Sequence, residues 1–340
     1  FHHIFSWAHL ISGFVDCGYG KKALELYGSM KERGLKPSPP TIVSLLRACG
    51  DMCAIAKGTE IHNYAKKEGF EDNFFIVSAL IMMYGKCGHV VEAEDVFIRL
   101  AQYDLVSWNA MLSMYVEIGE EGKALSLFEK ILETQMSPNE RTMVCVIQAI
   151  SLHIIEGESR MLQERQSKAH ELHSHVVKKG FDDNIYIYSA LLGMYGKIGT
   201  IMDTEHMFVR YHFLHDIVPW NVMLSVYVDR GYGEKALRLF RQMQQEEMSP
   251  NETSFMMAIQ ACCLMADEET MNNVFVEIGL ALHSDARRNG FERDSLVCTM
   301  LINMYAKYGR ILEAEHLFEA HSHHDIVSWT IMLSVYVEFG

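Results

Sequence analysis

The chain of 340 residues is longer than one ordinary compact domain and fits either two domains or one elongated repeat array. Apolar residues make up 49% and charged residues 22%, which excludes disorder and a collagen-like chain. Thirty Lys and Arg against 44 Asp and Glu leave a net charge of −14, which excludes nucleic-acid binding by bulk charge alone. No uncharged apolar run is long enough to span a membrane. The eight cysteines form no C-x-x-C pair and read as reduced thiols in the helices of an intracellular protein. The start, Phe1-His2-His3-Ile4-Phe5, has no basic region or cleavage site, and the chain reads as a piece of something longer.

Along the chain the first signal is Trp7, followed by Leu10-Ile11-Ser12-Gly13-Phe14. Trp108, Trp220 and Trp329 recur at intervals of 101, 112 and 109 residues, each followed by Met-Leu-Ser-x-Tyr. Gly69-Phe70, Gly180-Phe181 and Gly290-Phe291 repeat at a similar long interval, as do Met83-Tyr84-Gly85-Lys86, Met194-Tyr195-Gly196-Lys197 and Met304-Tyr305-Ala306-Lys307. Each interval divides into three units. They are 4–38, 39–73 and 74–104; then 105–139, 140–184 and 185–216; then 217–251, 252–294 and 295–325, with a tenth beginning at 326. Inside 105–139, Trp108, Met111, Leu112 and Tyr115 follow helical spacing. Gly119 breaks that run, and Ala124, Leu127, Phe128 and Ile131 make a second stripe before Pro138 stops it. Each unit is thus predicted to be a helical hairpin. One hairpin cannot bury both stripes, so the expected fold is all-α, a right-handed α-α superhelix or solenoid with the tryptophans packed between hairpins. The middle unit of each triplet varies most. Its extra residues, including Glu156, Glu158, Glu164, Asp267, Glu268 and Glu269, are expected in acidic loops or helix extensions.

These motifs resemble pentatricopeptide repeats. Ile326-Val327-Ser328-Trp329-Thr330 with Met332-Leu333-Ser334-Val335-Tyr336, Lys235-Ala236-Leu237 with Leu239-Phe240, and the closing Ser-Pro-Asn carry the likeness. The order of 35-residue, variable and 31- or 32-residue units resembles the subclass built from P, L and S motifs. The resemblance covers essentially the whole chain. It implies an organellar factor, in mitochondrion or chloroplast, that binds single-stranded RNA at one base per unit and serves RNA editing or processing. It also implies a monomer with no cofactor and no membrane contact, working with other editing or processing factors.

The resemblance also implies a base code in which the fifth residue of a unit acts with the last. The implied pairs are Ser78 with Asp104, Asn109 with Asn139, Ser189 with Asp216, Asn221 with Asn251, and Thr299 with Asp325; Ala8 with Ser38 is too small to assign. Short polar side chains suit the open Watson–Crick edge of a single strand. Phe75, Val106, Tyr186, Val218, Leu296 and Val327, each second in its unit, would sandwich bases, as would Phe5. Val43, Val144 and Met256 at the fifth position of the middle units would space rather than read. Lys86, Lys197 and Lys307 are implied phosphate contacts, where the 35-residue units carry Asp16, Glu117, Asp229 and Glu338. With the strand parallel to the chain, the units from Ser78 onward would spell G, pyrimidine, any, G, pyrimidine, any, G.

Other chemistries find little support. His170, His173 and His175, and His321, His323 and His324, are read as packing or surface residues rather than metal ligands. Cys49, Cys53, Cys262 and Cys263 are read as core. No His-x-Glu and no Pro-Cys-x-x-Cys is present, so this chain carries no deaminase signature, and no phosphate loop or nucleophile elbow occurs. Asn251-Glu252-Thr253 is a formal sequon read as chance. The alternative to RNA binding is a scaffold similar to other α-solenoids that holds a peptide or helix, which the acidic charge favours. Net charge runs −1, −5 and −8 over 1–104, 105–216 and 217–340, so phosphate attraction is expected to weaken towards the C-terminus.

Overall fold

A computed structural model describes residues 2–100, 102–134, 136–152, 159–211, 216–266, 273–320 and 326–339. Asp325, Glu156, Glu158, Asp267, Glu268, Glu269 and the His321 cluster lie outside the described residues, as do the side chains of Phe5 and Glu338. The described residues are helical with short turns. They fall into two compact bodies, residues 1–181 and 182–340.

In the first body the hairpins are α1 (His2–Asp16) with α2 (Gly20–Glu32), α3 (Pro39–Asp51) with α4 (Ile55–Lys67), and α5 (Phe74–Lys86) with α6 (Val90–Ile98). They continue with α7 (Leu105–Glu117) and α8 (Glu121–Glu133), then α9 (Glu140–Ile150) and α10 (Ser159–Lys178). The odd-numbered helices pack side by side in order, and each also packs on its own second helix. In the second body α11 (Ile185–Ile198), α13 (Ile217–Asp229), α15 (Glu252–Ala266), α17 (Ser295–Lys307) and α19 (Ile326–Phe339) form the corresponding row. Their second helices are α12 (Ile201–Tyr211), α14 (Gly233–Gln245), α16 (Asn273–Arg288) and α18 (Ile311–Ala320). The α-α repeat expected from the sequence is therefore present in both bodies.

Local chemistry sets these boundaries. Asn73, Asp104, Asn139, Asn184, Asp216 and Asp294 are N-caps whose side chains accept backbone N–H groups of the helix that follows. At the hairpin turn, Gly88 takes φ +77°; its N–H donates to the Gly85 carbonyl and that of His89 to Tyr84, both at 2.9 Å. The 31- and 32-residue units are short because their second helices run only 9, 11 and 10 residues, in α6, α12 and α18. The long middle units partly extend a helix: α10 has 20 residues and α16 has 16, against 13 in α4. Glu164 lies in α10, 3.0 Å from Lys168.

The core repeats with the units. Trp108 and Trp220 are buried, each edge-on to a phenylalanine of the preceding second helix, Phe97 at 5.0 Å and Phe208 at 5.1 Å. Trp329 repeats the contact with Phe318 at 4.8 Å but is half exposed, and Trp7 is half-buried under Arg33. For these two the expected burial is corrected. The expected core role holds for Cys49, Cys262 and Cys263, but Cys53 is exposed. Cys53 ends α3 at φ +49°, in the position that glycine fills elsewhere, so its side chain points away from the core stripe. His62 and His283 bond the hydroxyls of Tyr84 and Tyr305 at 2.8 and 2.7 Å, which ties the middle units 39–73 and 252–294 to the units that follow them.

Candidate nucleic-acid interface

In each body the row of first helices has one side on the second helices and the other open. Among the described side chains, the second residue of each unit lies on the open side. Phe75 and Tyr186 are 68% and 72% exposed, and Val106, Val218, Leu296 and Val327 are also exposed. Large apolar side chains held in water at one fixed register cost free energy, so their recurrence marks a surface with a use. Three helix residues further on, the fifth position turns partly inward. Asn109, Ser189 and Thr299 are buried, while Ser78 and Asn221 are half-buried.

The implied pairs separate into two kinds. In the 35-residue units the fifth and last residues touch. Asn109 Nδ2 donates to Asn139 Oδ1 at 3.2 Å, and Asn221 Nδ2 donates to Asn251 Oδ1 at 3.1 Å. Each pair is closed by a hydroxyl from the next unit. Thr142 Oγ1 donates to Asn109 Oδ1 at 2.8 Å, and Ser254 Oγ donates to Asn221 Oδ1 at 2.6 Å. In the 31- and 32-residue units the fifth hydroxyl instead bonds its own helix. Ser78 donates to Phe74, Ser189 to Ile185 and Thr299 to Ser295, at 2.7–2.8 Å. Their partners cap the next helix: Asp104 accepts from Ser107 N–H at 2.9 Å and Asp216 from Val218 N–H at 2.8 Å. Asp325 is outside the described residues.

The three lysines each end a first helix, but their surroundings differ. Lys86 Nζ lies 2.6 Å from the Asp51 carboxylate, which raises its pKa above the ordinary lysine value. Lys307 reaches the Cys263 carbonyl at 3.4 Å. Lys197 is exposed and opens onto a cleft of about 520 Å³. Val218, Asn221, Asn251 and Thr253 line the same cleft, so one implied phosphate contact, one sandwiching residue and one amide pair converge there. Arg230, on its rim, is spent on the end of α11, where its guanidinium donates to the carbonyls of Gly196, Lys197 and Gly199 at 2.8–3.0 Å. Gly196 permits this approach of α11 to α13: a Cβ there would lie 2.2 Å from Val226 Cγ2.

Sequence reasoning missed several residues. Thr142 and Ser254 complete the amide pairs; Asn-x-x-Thr and Asn-x-x-Ser are capping-box spacings that could have shown them. Glu94 and Glu205 were also missed. Each carboxylate accepts from the tyrosine and lysine of the next unit, Tyr115 and Lys123 or Tyr227 and Lys235, at 2.8–2.9 Å. Both carboxyls are held below the usual glutamate range, first by the lysine hydrogen bond. Among the described residues no group of His, Cys, Asp and Glu is placed to hold a metal ion.

Comparison with known proteins gives the arrangement a family. Models of the PPR repeat family match residues 2–51 and 215–264, and the PPR repeat model matches 75–105, 106–134 and 297–320, together more than half of the chain. A pentatricopeptide repeat-containing protein of Arabidopsis thaliana is 30% identical over 336 residues, covering 98% of this chain and 46% of the relative. A chloroplastic Arabidopsis protein of the same description is 32% identical over 333 residues, covering 98% of this chain and 36% of the relative. The chain thus spans less than half the length of these two curated relatives. Among solved structures, maize PPR10 in complex with an 18-nt psaJ RNA element is 15% identical with a TM-score of 0.47, covering 98% of this chain and 58% of that one. The matched stretches include both hairpins that carry a buried tryptophan, an asparagine at the fifth position and an exposed valine at the second, and on those matches the chain belongs to the pentatricopeptide repeat family.

Proposed function

We propose that the chain is a sequence-specific single-stranded RNA-binding module of the PLS subclass. Its units 4–38 through 326–340 act as one solenoid and take one base per unit, except where the fifth residue is apolar. The observation that carries this reading is the cleft where Lys197, Val218, Asn221 and Asn251 converge. It offers an apolar wall for a base face, amides for a base edge and, from the unit before, a cation for a phosphate. Phe75, Val106, Tyr186, Leu296 and Val327 extend the apolar positions to the other units. The module does no chemistry of its own and presents its RNA to editing or processing factors. Two of the curated relatives are named chloroplastic, which supports action in an organelle.

Selection from random single-stranded RNA, followed by filter binding, tests the proposal. The expected outcome is a motif with three-nucleotide periodicity, G and then pyrimidine and then any base, with duplex RNA bound poorly. Enrichment without that periodicity refutes base reading. Failure to retain any RNA, with retention of a peptide or helix instead, would favour the scaffold reading that the net charge of −14 suggests.

A further inference from the structure

We propose that Thr142 and Ser254 are positioning residues that fix which edge the two asparagine pairs present, and so set their base preference. The inference rests on the base-reading role proposed above. Both side chains are fully buried, and both sit third in their unit, three residues after the asparagine that ends the unit before. Neither can touch RNA itself.

The hydrogen bonds admit one assignment. The backbone N–H of Thr142 can only donate, and it points at the Asn139 side chain at 3.0 Å, so Asn139 must present its oxygen there. That oxygen also faces the Asn109 amide at 3.2 Å, so Asn109 must present its nitrogen. The Asn109 oxygen then falls 2.8 Å from Thr142 Oγ1. The hydroxyl accepts from Asn139 N–H at 3.2 Å and has one proton to give. Asn139 Oδ1, 2.9 Å away, already has two N–H donors, so the proton goes to Asn109. Ser254 repeats every step, with its N–H 3.0 Å from Asn251 Oδ1 and its hydroxyl 2.6 Å from Asn221 Oδ1.

Asn139 Oδ1 thereby has both lone pairs taken, and Asn109 Oδ1 is turned to the buried hydroxyl rather than outward. What remains is one N–H on the fifth residue and two on the last, a donor-only edge. Such an edge matches bases that present acceptors, as cytosine does with N3 and O2, and leaves a guanine N1–H unpaired. Without the hydroxyl, the fifth asparagine keeps a buried oxygen with no donor. Rotating that oxygen outward makes the edge mixed. The pattern across units agrees. Where the preceding fifth residue is a bulky apolar one, at Val43, Val144 and Met256, the third position holds Ile76, Ile187 and Val297, whereas Thr41 follows the small Ala8 and bonds Ser38 at 2.9 Å.

The test is Thr142→Val, which keeps the shape and removes the hydroxyl, measured against RNAs that differ only at the base read by Asn109 and Asn139. A preference of about tenfold or more for cytosine over guanine should fall to about twofold or less, with the preference at Asn221 unchanged. Thr142→Ser should restore it, which a purely structural loss of stability would not require. If Thr142→Val fails to fold, Ser254→Ala asks the same question in the other body. Preference retained in the hydroxyl-free variant overturns the positioning role while leaving base reading intact. No base preference in the unaltered chain overturns the base-reading proposal and this role with it.

Discussion

Replacing Asn109 with Thr and Asn139 with Asp should convert one position from pyrimidine to guanine. The structure supplies both halves of the change. A threonine at the fifth position has its pattern in Thr299, whose hydroxyl donates to the Ser295 carbonyl at 2.8 Å; in the variant it would donate to Leu105. An aspartate at the last position has its pattern in Asp104, which gives one oxygen to the Ser107 N–H at 2.9 Å. In the variant one carboxylate oxygen would cap Thr142, whose hydroxyl is then free to donate to it. The second oxygen faces the base as an acceptor. A donor-only edge becomes an acceptor edge, and guanine presents N1–H and N2–H to it. Good bidentate contacts discriminate by about 1–3 kcal/mol, or about 5- to 150-fold in affinity. Competition binding with RNAs that differ at the one nucleotide reads the change, and thermal melts confirm the fold. If the double variant keeps the pyrimidine preference, the pair does not read the base.

Other expectations follow from single contacts. Cys53→Gly removes a left-handed backbone penalty of about 1–2 kcal/mol and adds back some unfolded-state entropy, for a net gain of about 0.5–1 kcal/mol; a denaturant midpoint that fails to rise refutes the strain. Glu94 and Glu205 have depressed pKa values in the folded chain, so their stabilisation is present above the ordinary glutamate value and lost as pH falls through the folded one. Glu94→Gln with Glu205→Gln should therefore lower stability at neutral pH and flatten the loss below about pH 4.5; an acid-unfolding curve of unchanged slope counts against it. Lys197→Ala should weaken RNA binding and reduce the salt slope by about 0.7, the single-strand value for one phosphate contact. Lys86→Ala should change it less, because Asp51 already holds that ammonium at 2.6 Å, and Asp51→Asn should strengthen binding by freeing it; equal slopes for the two lysine variants would refute the distinction.

The hairpin repeat was legible because it is written in large side chains at long fixed intervals. Trp108 and Trp220 need a full pocket each, and nothing smaller makes the same contact with Phe97 and Phe208. What escaped was everything that depends on how neighbouring first helices are registered. Lys86 and Asp51 are 35 residues apart, and their pairing requires the ends of α3 and α5 to lie level. Thr142 looks like an ordinary helix-start residue until Asn109, 33 residues earlier, is brought to it. Cys53 misled because its spacing from Cys49 matches a buried stripe, while the turn it occupies is set by backbone handedness.

The last residue of each unit was legible only in part, and the reason lies in its double use. It must cap the next helix, and capping restricts the choice to short side chains with an oxygen acceptor. Asn139 and Asp104 satisfy that demand equally, each giving an oxygen to a backbone N–H at 2.9–3.0 Å. The cap consumes half of the side chain and leaves the other half open. In asparagine the open half is an amide that donates; in aspartate it is a carboxylate oxygen that accepts. The fold therefore fixes the residue class at this position and leaves the sign of the remaining hydrogen bond free to vary from unit to unit. On the base-reading proposed above, a change between Asn and Asp there would alter recognition at little cost to the helix, the property a row of otherwise similar hairpins would need in order to distinguish one RNA sequence from another.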